Sequence, residues 1–600
     1  MFNFGEFLTE TEFVPVAFTD IAEFLGPAGL LVPNLNVLEP DAQPYCVLAI
    51  QPCGELAFSQ TFVGNANHSQ AIKKFFCFLQ DAAVANVDLA LSPEYSCPWK
   101  SLEDALTADL FPGAGKLWAL GCESITPDEL SALRQRHPDV IWICETPAAA
   151  PGKFLDPVCY FLKTQTNTGQ DKRVVVIQFK TVPMGGGETF ERNHIISGQR
   201  RYFLRNRQVD HVRFYTIICS EALEFEIDHA RAVELTMHPA IIFHPQMVDD
   251  VRHAGMRKYR ADLFRNTCSE HTEVFSLNWA RKIKTPGGAP GQPPDNRKGN
   301  SAIYIKSQRF DRSDNAIKNN HALGIYYSRW KEHQSDLCIF NFEEYVFNLV
   351  NQKVIHVGAT VQARRTGPTV IELKKWNAVT ESWDVVAQAD DGFQSFCQLY
   401  ETPHLAPCLA EHLTPVDRER LLMLSAGTLD PVPDWHSVVR MQSFICEADE
   451  RCKRLTFVQE ESQASRDFRN DHIVRFIGLQ TRVLANEANF PPNILDLRGN
   501  FSIACPAAAT QFRFNLLNRQ NNQNGATVIF LGVKPRSEAK EFYQRLRRGW
   551  GERDGKMREE LTRRIVVAYS DTDGTLRMEH PVLGSFTDDS EMPSSISSAE

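Results

Sequence analysis

Three residues placed just past apolar runs could together perform nucleophilic chemistry. Leu89-Ala90-Leu91-Ser92-Pro93-Glu94-Tyr95 delivers a carboxylate, Val176-Ile177-Gln178-Phe179-Lys180-Thr181 an ammonium, and Tyr215-Thr216-Ile217-Ile218-Cys219-Ser220-Glu221-Ala222 a thiol. The thiolate, not the thiol, is the nucleophile. Glu94 can take the Cys219 proton as a general base, and Lys180 can lower the thiol pKa. After attack on a carbonyl or nitrile carbon, Lys180 and a backbone N–H just after Cys219 can stabilise the charge that builds on oxygen or nitrogen. Glu94 can then protonate the departing amine and activate a water against the thioester. Taken singly, each residue has a plainer reading. A Cys behind an apolar strand is more often a small core residue, and a Glu or Lys at a strand end is more often solvated. The chain order Glu, Lys, Cys on three buried strands is what points to a site.

The elements that must hold these residues follow from the apolar pattern. Short runs at Tyr45 to Ile50, Val87 to Leu91, Lys116 to Leu120, Val140 to Cys144, Val158 to Leu162, Val174 to Phe179, Val212 to Ile218, Ala240 to His244 and Val274 to Asn278 read as buried strands. Helical spacing is clear at His68 to Val84, Pro127 to Arg136 and Met256 to Ser269. Alternating strands and helices predict an α/β layered fold, with loops converging at strand carboxyl ends. Asn167 to Lys172 joins two strand runs as a hairpin, so the sheet is expected to be mixed. Thr285 to Lys298 is a Pro/Gly loop expected to be a mobile excursion.

The constellation resembles the nitrilase, or carbon–nitrogen hydrolase, superfamily, whose signature is a Glu-Lys-Cys triad in that order on an α-β-β-α sandwich. Glu94 in Ser-Pro-Glu-Tyr, Lys180 in Gln-Phe-Lys-Thr-Val-Pro behind a hairpin, and Cys219 in Ile-Ile-Cys-Ser-Glu carry the resemblance over roughly residues 45 to 350. Ala240 to Pro245 and Val274 to Asn278 look like two further strands of that family. The resemblance implies a second site carboxylate past the Lys. Glu191-Arg192 fits it across the insertion Met184-Gly185-Gly186-Gly187, and Glu188 competes. The segment after Cys219 lacks the aromatic residue of many nitrile-cleaving members, which favours an amide-like substrate. No cofactor and no metal are implied. The family's habit of pairing through outer helices implies a homodimer or higher homo-oligomer. A second reading makes the chain a nitrilase-fold sensor or scaffold, resembling components of prokaryotic anti-phage systems, with its C-terminal region binding a protein or nucleic acid.

Composition narrows the classes. In 600 residues, 64 Lys and Arg stand against 74 Asp and Glu, a formal charge of −10, which excludes a general preference for nucleic acid or anionic membrane. No apolar run approaches the roughly 20 residues of a membrane span, and the start lacks a signal-peptide pattern. Fifteen cysteines without a Cys-x-x-Cys pair argue against a disulfide frame or a thiolate zinc site and predict a reduced, cytosolic chain. The expected order is an N-terminal extension (1–44), the nitrilase-like domain (45–350), a mixed helical and small α/β region (351–586) and a disordered acidic, Ser-rich tail (587–600). Within the third, Val416 to Leu424 and Phe468 to Ala485 read as helices. Ala526 to Val533, Ser537 to Arg548 and Ile565 to Ser570 read as strand, helix and strand. The Gly185–Gly187 run, Ser425 to Asp430 and Asp390-Asp391 match no complete phosphate or metal motif, Asp571 to Gly574 reads as a hairpin turn, and His238, His244, His253 and His271 lack ligand spacing. The basic residues between Lys534 and Arg564 read best as a solvated mixed-charge face.

Overall fold

The computed structural model describes residues 16–145, 150–184, 190–207, 212–226, 237–247, 254–265, 271–280, 301–306, 322–330, 335–341, 343–354, 367–390, 477–503, 516–518, 525–553 and 562–581, with a few shorter pieces. The chain divides into two compact units, the first comprising residues 1–312 and 322–390, the second 313–321 and 391–600.

Two mixed sheets make the first unit. Among the described residues one has nine strands, ordered Ser382–Val386, Thr369–Asn377, Tyr345–Asn351, Tyr45–Gln51, Leu89–Cys97, Leu117–Cys122, Pro157–Gln165, Asp171–Phe179 and Ile141–Cys144. The other has eight, ordered Phe18–Asp20, Arg201–Leu204, Arg213–Thr216, Ala240–Pro245, Thr272–Leu277, Ala302–Lys306, Ser335–Phe340 and Ile325–Trp330. Alternation decides which side chains go where. Val175, Ile177 and Phe179 face the helix side of the nine-stranded sheet. Gln178, one residue out of step, reaches the other sheet and donates to the Thr216 carbonyl at 3.2 Å. Tyr160 meets Phe214 edge to face across the same gap, and Tyr45 donates to Glu273 at 2.8 Å.

Helices cover both outer faces. His68–Val84 starts at Asn67, whose side chain accepts from the Gln70 N–H, and its Phe75, Phe78 and Leu79 pack onto Leu48, Ile50, Ala90 and Trp118. Each such burial contributes about 1.5–3 kcal/mol. Pro127–Arg136 opens with a capping box between Thr126 and Glu129. Ala254–Arg265 buries Met256, Tyr259, Leu263 and Phe264, and Lys306 of the eight-stranded sheet donates to the Phe264 carbonyl at 2.5 Å. The layers are therefore α-β-β-α.

The first unit extends beyond the expected 45–350 at both ends. Phe18–Asp20 pairs in parallel with Arg201–Leu204, so part of the N-terminal segment is an edge strand and not an appendage. At the other end Tyr345–Asn351 is no edge. Thr369–Asn377 pairs with it and Ser382–Val386 follows, because the open backbone groups of that strand need partners. The 167–172 hairpin forms as expected between Pro157–Gln165 and Asp171–Phe179. Strands Ile283–Thr285 and Asp295–Arg297 pair where an unstructured loop was expected; residues 286–294 lie outside the described residues.

In the second unit a sheet runs Phe501–Ile503, Leu516–Asn518, Gly525–Val533, Ile565–Ser570, Leu576–Glu579. Helix Arg536–Gly551 lays Ala539, Phe542 and Leu546 on Ile529, Ile565 and Val567. This is the small α/β part expected there. Lys534 pairs with Glu538 and Arg564 with Asp496, in keeping with a mixed-charge face. Asp571 to Gly574 is a turn closed by the Gly574 N–H on the Asp571 carbonyl. Of the segment expected as a helix over Phe468 to Ala485, the described residues Ile477 and Gly478 are α-helical and run into a π-helical turn, Leu479–Val483, and a 3-10 turn, Leu484–Asn489. Residues 416–430 and 587–600 lie outside the described residues.

Candidate active site

Glu94 is presented by an interruption in its own strand. The pairing of Leu89–Cys97 with Leu117–Cys122 shifts register between Ser92 and Cys97, and Tyr95 takes a positive φ of 54°. Gly121 makes room for the bulge: a Cβ there would stand 2.2 Å from the Pro93 carbonyl oxygen. The Ser96 hydroxyl donates to that same oxygen at 2.6 Å, and the Trp279 indole N–H donates to the Glu94 carbonyl at 2.8 Å. The carboxylate is thus fixed by its backbone before it meets a charge.

Lys180 follows Gln178 on the face between the sheets, and its ammonium is fully buried. It lies 2.8 Å from Glu94 Oε1, 2.9 and 2.8 Å from the two Glu191 oxygens, and 3.6 Å from Asp156 Oδ2. Glu191 comes from the short helix Phe190–His194 and also accepts from the Tyr95 hydroxyl at 3.0 Å and the Met184 N–H at 2.7 Å. Of the two carboxylates left open by the sequence, Glu191 is therefore on the lysine; Glu188 lies outside the described residues.

Cys219 is 3% exposed and opens the 3-10 turn Cys219–Glu226 with a φ of +40°. A left-handed conformation at a non-glycine residue costs on the order of 1–3 kcal/mol and persists only where surroundings impose it. Here Glu221 and Ser220 impose it. Glu221 accepts from the Ile218 N–H at 2.7 Å and from the Thr181 N–H and hydroxyl at 2.8 and 2.7 Å. Ser220 donates to the Val182 carbonyl at 2.6 Å. The turn is bolted to the segment that follows Lys180. His244 lies 3.1 Å from the Cys219 carbonyl. Burial pulls its pKa down to about 3, so the imidazole is neutral and donates through Nε2.

Burial and neighbouring charges set the resting state of the thiol. Burial, then the Glu94 charge, push the Cys219 thiol well above its usual range; Lys180 and the Met247 N–H pull the other way and are outweighed. At rest Cys219 is a thiol, so a base must act during attack. Burial opposes the Lys180 charge, yet Glu191, Glu94, Cys219 and Asp156 hold its pKa well above normal. Burial also works to raise Glu191, but Lys180 and the Met184 and Tyr95 donors overcome it and lower the net value. Glu94 is raised, by burial first, against the lowering effect of Lys180.

Glu94, Lys180 and Glu191 are thus brought into direct contact, and Cys219 is charge-coupled to all three. Asp156, Tyr95, Glu221, His244, Met247 and Trp279 were not singled out as site residues. Asp156 had a usable signal: it stands at the head of the strand paired by hairpin with the Lys180 strand, and the Lys180 N–H donates to its carbonyl at 2.8 Å. The oxygens of Glu94, Asp156 and Glu191 lie within 4.8 Å of one another, a spacing that could hold a metal ion. The Lys180 ammonium already stands among them as the cation.

No family model and no curated protein matches the chain. Among solved structures it is similar to the crystal structure of a carbon-nitrogen hydrolase from Helicobacter pylori G27, at 10% identity and a TM-score of 0.26, over 44% of this chain and 82% of that one.

Proposed function

We propose that the chain is a thiol hydrolase that cleaves a non-peptide carbon–nitrogen bond, with an uncharged amide favoured over a nitrile, through a thioester on Cys219. The observation that carries this reading is the Lys180 ammonium, ion-paired with Glu94 and Glu191 and charge-coupled to a thiol held in a left-handed turn. In the first step the Cys219 sulfur bonds to the carbonyl carbon while its proton passes to Glu94. Lys180 stabilises the oxyanion. The C–N bond then breaks, and protonated Glu94 gives its proton to the leaving amine. A water, deprotonated by Glu94, adds to the thioester and releases the acid, and the proton returns to the thiol.

Charge and shape restrict the substrate. Three carboxyls surround one ammonium, so an anionic group on the substrate is repelled. Phe58, Phe190 and Met247, all partly exposed, pack on Tyr95 and Trp279 beside the trio and favour an apolar acyl group.

The test is turnover of an amide library, read as released amine, by wild-type and Cys219→Ser protein. Turnover lost in Cys219→Ser supports the reading, because a serine hydroxyl is far less acidic than a thiol. Equal turnover by both contradicts it.

A further inference from the structure

Three carboxyl groups and one ammonium share a space from which water is excluded. Glu94 is 1% exposed, Asp156 1% and the Glu191 side chain 13%, and the Lys180 ammonium is their common partner. If all three acids were ionised, the cluster would hold two uncompensated negative charges, at a desolvation cost of several kcal/mol per ion. A proton must be retained, and the hydrogen bonds show where.

Glu191 accepts from Lys180, Tyr95 and Met184, all of which favour its ionised form. Glu94 accepts from Lys180 at 2.8 Å. Asp156 differs: among the described residues neither carboxyl oxygen has a hydrogen-bond partner, although the Tyr95 hydroxyl stands near enough to interact with it. Lys180 stands 3.6 Å away, and the Tyr95 hydroxyl is given to Glu191. A buried carboxylate with two empty oxygens is costly, whereas a carboxylic acid supplies its own donor. The neighbour placed to accept that proton is Glu94.

We propose that Asp156 keeps its proton at neutral pH and donates it to Glu94, acting as a positioning residue that leaves Glu94 ionised as the base for Cys219. The role in the reaction rests on the thiol-hydrolase reading; the protonation does not. The groups facing Asp156 are Glu94 and Tyr95 from the bulged strand, Lys180 from the hairpin partner, and Glu191 from the short helix. Burial and the Glu94 and Glu191 charges push the Asp156 carboxyl well above the usual range, and Lys180 opposes them. Asn in its place has the shape of the neutral acid and an N–H donor where the acid has O–H.

Two measurements on the full chain decide it. In an infrared difference spectrum at pH 7, wild type minus Asp156→Asn should show the carbonyl band of a protonated carboxylic acid, shifted in deuterated water. An absent band overturns the proposal. The second is the rate at which iodoacetamide alkylates Cys219 near pH 7.5. Exchanging a neutral acid for a neutral amide should leave it within about twofold. Removing an anion instead would raise the thiolate fraction, and with it the rate, about tenfold or more. That acceleration also overturns the proposal. Turnover that survives in Cys219→Ser would sink the hydrolase reading yet leave the infrared band in place, so the two failures are distinguishable.

Discussion

Thr181 gives both its backbone N–H and its hydroxyl to one oxygen of Glu221, at 2.8 and 2.7 Å, so the residue after the lysine is tied to the residue two past the cysteine. The other Glu221 oxygen holds the Ile218 N–H, and Arg201 lies 3.3 Å away. Glu221→Ala would leave Arg201 and two N–H groups buried without this acceptor, at a cost of about 3–5 kcal/mol. Glu221→Gln should cost less, about 1–3 kcal/mol, and should also lower turnover by releasing the turn that strains Cys219. Denaturant unfolding with turnover on the same samples checks both. A Glu221→Ala protein as stable and active as wild type would mean that the tether is dispensable.

Glu94→Gln and Lys180→Met should both lose turnover, by about 10²-fold or more, but move the thiol in opposite directions. Removing the Glu94 charge takes an anion from beside Cys219, so the pH midpoint of its alkylation should fall. Removing the Lys180 charge should raise that midpoint. Alkylation profiles from pH 6 upward test this, and midpoints that shift together would show that one of the two groups does not face the sulfur.

Asp156 gives stability a pH dependence of known sign. Its folded pKa is raised above the unfolded value of about 3.9, so folding takes up a proton. The contribution is fully present below pH ~4 and is lost as pH rises toward the folded pKa, at a slope of up to about 1.4 kcal/mol per pH unit. Asp156→Asn lacks this loss, so its stability relative to wild type should grow from pH 5 to pH 8. Denaturant midpoints of the two proteins across that range supply the test. A constant difference would place the Asp156 pKa at its ordinary value.

The parts of this site that could be read from the sequence are those fixed by alternation. Ile177 and Phe179 face the helices, so Gln178 and Lys180 had to face the other sheet, and the apolar run before Cys219 put the thiol at a strand end. Asp156 was legible only through the register of the hairpin that sets it beside Lys180, and Trp279 escaped notice because its N–H reaches the Glu94 carbonyl across 185 residues. That Cys219 rests as a thiol and needs a base agrees with the sequence, but how strongly its pKa is raised does not follow from it. Sequence supplied the nearby lysine, but not the burial and carboxylate charge that outweigh it. The strand Thr369–Asn377 was missed because its exposed, mixed pattern does not resemble the buried runs upstream.

The most direct test of the central claim is chemical labelling of the intact chain with electrophilic amide and nitrile probes, read by peptide mass spectrometry. Exposure alone would direct label to half-buried thiols such as Cys46, Cys53 and Cys77, and away from Cys219. The reverse is expected: a covalent adduct on Cys219 ahead of those three, and its loss in Lys180→Met, where the thiol pKa rises and the charge that stabilises the anion is missing. Label spread over Cys46, Cys53 and Cys77 with Cys219 unmodified would contradict it.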